Sequence, residues 1–235
     1  SDDTALKPAE IERMKRKPDG SRRLVIAYMS IGEAESYRFY WDDTWKRSQP
    51  AWLLGENPEW KENYAVCFWE PSWQQLLCGA KGSYLDKIID AGFDGVYLDK
   101  CDVYEDLQNR HKREAKSRPH IEQDMADFIE RISRHAKSRA PGFAVIMQNA
   151  EGLLSDARLR GALDGVAKES LIFGLEGPED LNSSEEYNFA RDQLSLLKAD
   201  GKAVLVVEYI ANQAKIKQAA DLTAMHQMVD HAIGI

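Results

Sequence analysis

Residues 92–102 of the sequence read Gly92-Phe93-Asp94-Gly95-Val96-Tyr97-Leu98-Asp99-Lys100-Cys101-Asp102. The two glycines of this stretch flank a turn, where glycine adopts a positive φ at little cost. The apolar run 96–98 is typical of a parallel strand that is covered on both faces. Asp99 ends that run. Because a carboxylate is costly to bury without a partner, we expect Asp99 at the open rim of a sheet.

A second stretch, residues 163–170, repeats this pattern with the sequence Leu-Asp-Gly-Val-Ala-Lys-Glu-Ser. Glu169 follows Asp164 at the same distance as Asp99 follows Asp94. Two strands that begin with the same turn would carry both acids to the same end of one sheet. The alternative is that Asp-Gly is merely a common turn and that both acids are solvated strand ends. The spacing alone leaves these two interpretations level.

Apolar runs and amphipathic segments alternate along the rest of the chain. Predicted strands cover residues 24–30, 64–69, 96–98, 143–147, 164–170 and 203–207. Predicted helices cover residues 8–17, 73–91 and 121–140, and the second of them has a break near residues 79–82. A further helix is predicted to start at the capping box of Ser183 and Glu186, and the tail of the chain is also predicted to be helical. Residues 32–35 are expected to form a loop, and the polar stretch 105–119 is expected to be a solvated face or a mobile loop. This order predicts a parallel sheet with helices outside it.

Polar residues follow most of the predicted strands. The carboxyl ends of barrel strands carry the active site of a (β/α)8 TIM barrel, so this pattern favours that fold. A doubly wound sheet would instead concentrate polar groups at one switch point, and no glycine-rich phosphate loop is present. We therefore predict an α/β protein with one barrel domain over residues 1–235.

Composition excludes some classes of function. The net charge of −8 and the pI near 5.2 argue against nucleic-acid binding, which needs a basic face, and suit a neutral or cationic partner. The sequence has no apolar run long enough for a membrane span and no visible signal peptide. The three cysteines match no zinc motif, and we predict neither a metal nor a cofactor.

Aromatic residues are dense between residues 37 and 60. Most of them are expected to form a satellite core under a long loop, because large aromatics dominate burial. One or two of them are candidates for a platform on which sugar rings stack.

Carboxylates are the strongest candidates for chemistry, since no Ser-His-Asp or Cys-His spacing is present. Two carboxylates across a cleft can cleave a glycosidic bond. One donates a proton to the leaving oxygen, and the other acts as a nucleophile or as a base towards water.

Four blocks of the sequence resemble glycoside hydrolase family 114, whose members include endo-α-1,4-polygalactosaminidases. The blocks are residues 27–35, residues 92–102 with Tyr104, residues 148–151 and residues 206–209. The resemblance implies a (β/α)8 barrel with catalytic acids after its fourth and sixth strands. These correspond to Asp99, as nucleophile, and Glu169, as acid/base, in a retaining mechanism. Glu169 is placed by strand order, and Glu176 and Glu179 follow it closely.

The resemblance also implies further contacts with substrate. The residues expected to make them are Tyr28, Glu33, Glu35, Asp102, Tyr104, Gln148, Asn149, Glu208 and Tyr209. The implied substrate is an α-1,4-linked galactosamine polymer, which is cationic when deacetylated and would be attracted by an acidic cleft. The implied enzyme is monomeric, degrades polysaccharide and is secreted to an extracellular or periplasmic location.

Against the family barrel, the chain begins in the loop after the second strand and ends about where the eighth should start, so the first two strands and the last strand are expected to be absent from this chain. Two other functions stay open: a carbohydrate-binding barrel without turnover, and a hydrolase of a different polysaccharide.

Overall fold

A computed structural model describes residues 5–225 and 231–234 of the chain. The strands are β1 (Ile26–Ser30), β2 (Glu33–Glu35), β3 (Leu53–Glu56), β4 (Asn63–Val66), β5 (Gly95–Asp99), β6 (Ala144–Gln148), β7 (Gly165–Glu169), β8 (Ala203–Glu208) and β9 (His231–Gly234). The helices are α1 (Pro8–Met14), α2 (Pro71–Leu77), α3 (Tyr84–Asp90), α4 (Val103–Arg110), α5 (Lys112–Lys116), α6 (Ile121–Arg139), α7 (Ala157–Ala162), α8 (Ser184–Ala199) and α9 (Gln213–Met225).

The chain divides into two compact units, Ser1–Val145 and Ile146–Ile235. In the first unit, β1 and β5 pair in parallel, and Ser30 lies opposite Asp99. Val96 and Leu98 are fully buried on β5, which confirms the predicted buried strand. The prediction of one domain over residues 1–235 stays a prediction.

The first unit also contains a small antiparallel sheet with the strand order β2-β4-β3. Two predictions are wrong here. Residues 33–35 form a strand rather than a loop, and the strand predicted at 64–69 is β4, which ends at Val66 and pairs antiparallel. Strands of three or four residues are too short to show a usable period of two, so the sequence did not separate them from loops or from the parallel sheet.

In the second unit, β7 pairs in parallel with β6 from Ile146 onward and also with β8. β9 in turn pairs in parallel with β8. The expectation that the last strand would be absent is therefore wrong, because β9 follows the helical tail. With only four residues, β9 has no sequence pattern that distinguishes it from the end of a helix.

Most helices follow the predicted pattern. The predicted break in residues 73–91 separates α2 from α3, which begins after Ser83, whose hydroxyl accepts a hydrogen bond from the Asp86 amide. The capping box of Ser183 and Glu186 begins α8. The stretch 105–119, which is predicted to be a solvated face or a mobile loop, lies mainly in α4 and α5, and most of its residues are exposed or half-buried, as in a solvated face. Its buried members, such as Leu107, are widely spaced among charged residues, so the apolar face was hard to detect.

The glycine that follows Asp94 and the glycine that follows Asp164 are required for the same structural reason. The carbonyl of Asp94 accepts a hydrogen bond of 2.9 Å from Ala144, and the carbonyl of Asp164 accepts one of 3.1 Å from Ala203. A Cβ on the glycine that follows Asp94 would lie 2.5 Å from the Ala144 oxygen, and one on the glycine after Asp164 would lie 3.0 Å from the Ala203 oxygen. At both positions the absence of a side chain therefore allows the neighbouring strand to approach closely. Only Gly92 among the glycines of these two turns has a positive φ, of 88°.

The aromatic segment forms a satellite cluster for the most part. Consecutive ring centroids of Trp41, Trp45, Trp52 and Trp73 lie 4.9–5.3 Å apart. Trp52 and Trp73 are buried. The expectation of a satellite core is therefore confirmed for these residues, while a few other aromatics of the segment stay exposed.

Candidate active site

Asp99 is the last residue of β5, and both of its carboxylate oxygens accept hydrogen bonds. The Lys100 amide donates to Oδ1 at 2.7 Å, and the Tyr28 hydroxyl donates to Oδ2 at 2.5 Å. Lys100 adopts the left-handed conformation, with φ 59°, which turns the chain sharply at the end of the strand. The carboxylate is half-buried. This geometry fixes the orientation of the acid at the carboxyl end of a parallel strand.

Tyr28 is held as a hydrogen-bond donor to Asp99. Burial of its hydroxyl, followed by the negative charge of Asp99, raises the pKa of Tyr28 above its ordinary value. The hydroxyl therefore stays protonated at neutral pH. Its ring is covered by the guanidinium of Arg38, whose Cζ lies 5.5 Å from the ring centroid.

Glu169 occupies the equivalent position on β7. Its Oε1 accepts a hydrogen bond of 2.7 Å from the Tyr209 hydroxyl, and its backbone amide donates to Oδ1 of Asn149 at 3.0 Å. Ser170, directly after it, is left-handed, with φ 52°. Asp99 in the first unit and Glu169 in the second therefore share three local features: a strand end, a left-handed residue that follows, and a tyrosine hydroxyl on the carboxylate.

The end of β6 carries two amide side chains. Gln148 is the last residue of the strand and is buried, and its Oε1 has no hydrogen-bond partner within the described part of the chain. Asn149 follows in the left-handed conformation, with φ 52°, and its bond to Glu169 makes it a support of that acid. A buried carbonyl oxygen without a donor is costly, so Gln148 offers an acceptor to a hydroxyl or an N–H group of a ligand.

Glu35 and Glu208 are buried, and the oxygens of both are bonded within the protein. Arg38 contacts both oxygens of Glu35, at 2.6 and 3.2 Å. The two oxygens of Glu208 accept hydrogen bonds from the Ile172 and Phe173 amides, at 2.8 and 3.2 Å. Burial raises the pKa of Glu208, although these amides oppose that shift. The geometry favours supporting roles over the substrate contacts predicted for both residues.

Glu33 lies on β2 with its carboxylate buried. Its Oε1 accepts a hydrogen bond of 2.8 Å from the Asn57 amide and lies 3.8 Å from the Lys100 ammonium. Burial is the largest effect on the Glu33 carboxyl and raises its pKa, while Lys100 and Asn57 oppose the shift. Lys100 therefore connects Glu33 to the strand end that carries Asp99.

Asp102 and Tyr104 lie at the start of α4. Asp102 precedes the helix, is half-buried and makes no side-chain capping bond. Tyr104 is buried in the first turn. Tyr209, the remaining predicted contact, follows β8 and is exposed, and its hydroxyl donates a hydrogen bond to Glu169.

Sequence reasoning missed Arg38 and Asn57. Arg38 is three residues after Glu35, and Asn57 lies in a different strand connection from its partner Glu33. The proximity of Arg38 to a predicted site acid and to Tyr37 was a weak local signal. For Asn57 no spacing signal existed, because the pairing depends on the antiparallel sheet.

Within the described residues, no three His, Cys, Asp or Glu side chains are grouped so that they could hold a metal ion. None of the helices in that part of the chain has the length and apolar character that crossing a membrane requires. Cys67, Cys78 and Cys101 are buried free thiols.

Comparison with known proteins identifies the family. A sequence model of glycoside-hydrolase family GH114 matches residues 2–232. The chain belongs to family GH114. The family predicted from the sequence blocks is therefore confirmed, and with it membership of a glycoside hydrolase family.

Three curated relatives of this GH114 chain are described as uncharacterized proteins. One from Methanocaldococcus jannaschii is 39% identical over 214 residues, covering 89% of this chain and 57% of the relative. One from Deinococcus radiodurans is 36% identical over 200 residues, covering 85% and 60%. One from Thermotoga maritima is 34% identical over 187 residues, covering 79% and 55%. The chain thus spans between about half and two thirds of the length of these relatives.

Among solved structures, the GH114 chain is similar to the glycoside hydrolase domain of PelA from Pseudomonas aeruginosa. The TM-score is 0.66 at 22% identity, and the match covers 97% of this chain and 83% of that domain. A variant of the same domain gives a TM-score of 0.67 at 20% identity, with the same coverage. At this identity the likeness shows the fold: an α/β chain with the architecture of TIM-barrel glycoside hydrolases, as predicted.

Proposed function

We propose that this chain is the catalytic part of an O-glycoside hydrolase that cleaves an α-1,4-linked galactosamine-type polysaccharide with retention of configuration. Asp99 is the nucleophile, and Glu169 is the acid/base. The observation that carries the proposal is the shared setting of the two acids in a GH114 chain. Each ends a parallel strand, and each receives a tyrosine hydroxyl on its carboxylate.

The two settings suit the two roles. A nucleophilic carboxylate must be ionised, oriented, and able to leave the sugar again, and both oxygens of Asp99 are oriented by donors. Glu169 has one oxygen bonded to Tyr209, and its backbone is fixed by Asn149. In the first step Glu169 gives its proton to the leaving oxygen while Asp99 forms the glycosyl ester. In the second step Glu169 takes a proton from the water that cleaves that ester.

Gln148 and Asn149 are proposed to contact the sugar that is bound in this site. The buried, unpartnered oxygen of Gln148 supports this role, because a sugar hydroxyl or N–H group would supply the missing donor. The choice of a galactosamine polymer rests on the resemblance to the polygalactosaminidases of the family. Action as a secreted monomer, outside the cytoplasm, stays a prediction.

The test is hydrolysis of acetylated and deacetylated α-1,4-galactosamine polymers by purified protein, with the product anomer followed by NMR. We expect the α-anomer first. Asp99→Asn and Glu169→Gln should each lower kcat/KM by about two orders of magnitude or more. The matched control is Glu176→Gln, since Glu176 follows Glu169 closely in the chain and is exposed.

Three outcomes would count against the proposal. Wild-type rates in both acid variants would exclude the assigned pair. A first product of inverted configuration would exclude the nucleophilic role of Asp99. Binding of polymer without any turnover by the wild-type chain would favour the carbohydrate-binding barrel, and turnover of another polysaccharide alone would move the substrate assignment.

A further inference from the structure

A buried cation, Lys168, directly precedes the proposed acid/base Glu169 on β7. Successive side chains of a strand point to opposite faces of the sheet, so Lys168 lies on the face away from that of Glu169. An ammonium group is costly to bury unless carboxylates or other acceptors surround it. The partners of Lys168 therefore identify the parts of the second unit that it holds together.

Two carboxylates lie close to the Lys168 ammonium. Glu151 begins the short 3-10 helix after β6, and its Oε1 lies 3.2 Å from Lys168 Nζ, with side chains that are 15% and 9% exposed. Glu208 is buried at the end of β8. Burial raises the pKa of Glu208, and the charge of Lys168 is among the effects that oppose this shift. Because Lys168 lies opposite Val206 in the β7–β8 register, Lys168 and Glu208 share the buried face of the two strands.

The ion pair with Glu151 holds a strained turn in place. Asn149 and Ala150 connect the end of β6 to Glu151, and both are left-handed with φ 52°, a conformation that is costly for a residue such as alanine. Asn149 Oδ1 accepts the hydrogen bond from the Glu169 amide at 3.0 Å. The Lys168–Glu151 pair therefore fixes the turn that places Asn149 against the acid/base.

The carboxylate of Glu208 is connected to the same acid from β8. Glu208 directly precedes Tyr209, whose hydroxyl donates to Glu169 Oε1 at 2.7 Å. Its own oxygens accept hydrogen bonds from the Ile172 and Phe173 amides, which belong to the loop after Glu169. Glu208 therefore ties the end of β8, with its tyrosine, to the segment that follows the acid/base.

We propose that Lys168 is a positioning residue for Glu169. This inference rests on the proposed function. On the buried face of the sheet, the ammonium neutralises and holds Glu151 and Glu208, and the chain segments that carry these two residues place both hydrogen-bond partners of Glu169 on the opposite face. Loss of the ammonium should therefore impair proton transfer by Glu169 and leave the nucleophile Asp99 intact.

The test compares two substrates that differ in their need for an acid. A galactosamine oligosaccharide has a poor leaving group that must receive a proton, whereas the fluoride of an α-galactosaminyl fluoride leaves with little protonation. Lys168→Met removes the ammonium and keeps an unbranched side chain. It should lower kcat/KM for the oligosaccharide roughly 10- to 100-fold, since misplacing a catalytic group by about 1 Å has effects of this size. The value for the fluoride should fall less than about twofold.

Arg160→Met is the matched control. Arg160 is another largely buried cation of the second unit, and its Nε lies 2.7 Å from Oδ2 of Asp200. Arg160 belongs to α7, which precedes β7, and Asp200 precedes β8, so this pair lies toward the amino ends of the strands. Its loss should change kcat/KM for both substrates by the same factor.

Glu151→Gln is the second variant, which decides the question if Lys168→Met does not fold. It keeps an oxygen acceptor for the ammonium and removes only the charge, so the ratio of oligosaccharide to fluoride hydrolysis should fall severalfold. An equal loss on both substrates in Lys168→Met would indicate a merely structural role and overturn the inference. A wild-type ratio in every variant that folds would overturn it as well.

Failure of the proposed function has a different signature, because the wild-type chain would then hydrolyse neither substrate. Crystal structures of the two variants test the positioning independently of turnover. We expect the hydrogen bonds from Asn149 and Tyr209 to Glu169 to lengthen or break when the Lys168–Glu151 pair is lost. Both bonds at their wild-type lengths in the variants would overturn the inference.

Discussion

Replacing Tyr28 with phenylalanine tests how Asp99 is prepared for its role. The change removes the hydroxyl that donates to Oδ2 at 2.5 Å and keeps the ring that Arg38 covers. A hydrogen bond to a charged acceptor contributes about 1.5–3 kcal/mol. At about 1.4 kcal/mol for each factor of ten, kcat/KM should fall roughly 10- to 150-fold if the bond is needed throughout the reaction.

The assay is steady-state hydrolysis of a soluble galactosamine oligosaccharide, with kcat and KM determined separately. The loss should fall mainly on kcat, because the Tyr28 hydroxyl orients the Asp99 carboxylate for its attack on the bound sugar. The thermal midpoint should stay close to that of the wild type, since the ring remains in place. Tyr209→Phe, which removes the equivalent donor to Glu169, should also lower kcat.

Tyr64→Phe provides the matched control. Tyr64 lies on β4 of the same unit, its ring packs against Trp41 at 4.8 Å, and no hydrogen bond of its hydroxyl is found among the described residues. A kcat/KM for Tyr28→Phe within twofold of the wild type would show that Asp99 does not need the Tyr28 hydroxyl. An equal loss in Tyr64→Phe would show a general packing effect instead.

Three further predictions concern stability and reactivity. Gly95→Ala should destabilise the fold by about 1–3 kcal/mol in urea unfolding, because its Cβ would lie 2.5 Å from a main-chain oxygen of the neighbouring strand. Gly142→Ala, with open space around it, should not. Burial raises the pKa of Cys67 and Cys78 to about 11, so both thiols should resist iodoacetamide at about pH 8 until the protein unfolds, and rapid labelling of the native protein would contradict this. Because the folded state holds the Glu33 proton more tightly than the unfolded chain, the contribution of Glu33 to stability is greatest below its ordinary pKa and falls as the pH rises. Glu33→Gln should therefore gain stability relative to the wild type between about pH 4 and pH 7 in denaturant titrations, and a constant difference would argue against it.

The parallel part of the fold was predictable because its signals are local. The matching turns before Val96 and Val166 placed an acid at two strand ends, and the structure explains the match by the same close approach at Gly95 and Gly165. The short strands β2, β4 and β9 were missed or misassigned, because three or four residues carry too little periodicity to oppose a helix or loop interpretation.

The candidate site acids could be proposed from the sequence, whereas the groups that form hydrogen bonds with the site carboxylates could not. Asp99 and Glu169 could be proposed from strand ends and from the family blocks. That Glu35 and Glu208 are bonded within the protein could not be predicted, since their donors come from Arg38 and from the backbone after Glu169. An isolated carboxylate in a sequence looks the same whether it faces a ligand or supports a loop, and only the tertiary partners separate the two.

The proposed mechanism requires a covalent bond between Asp99 and the sugar. The most direct measurement is mass spectrometry of peptides from the chain after reaction with a slow, fluorinated α-galactosaminyl fluoride, which accumulates the glycosyl ester of a retaining enzyme. We expect one added sugar on the peptide that contains Asp99, and none in Asp99→Asn. A sugar on the peptide that contains Glu169, or an unmodified protein that nevertheless hydrolyses the polymer with inversion, would contradict it.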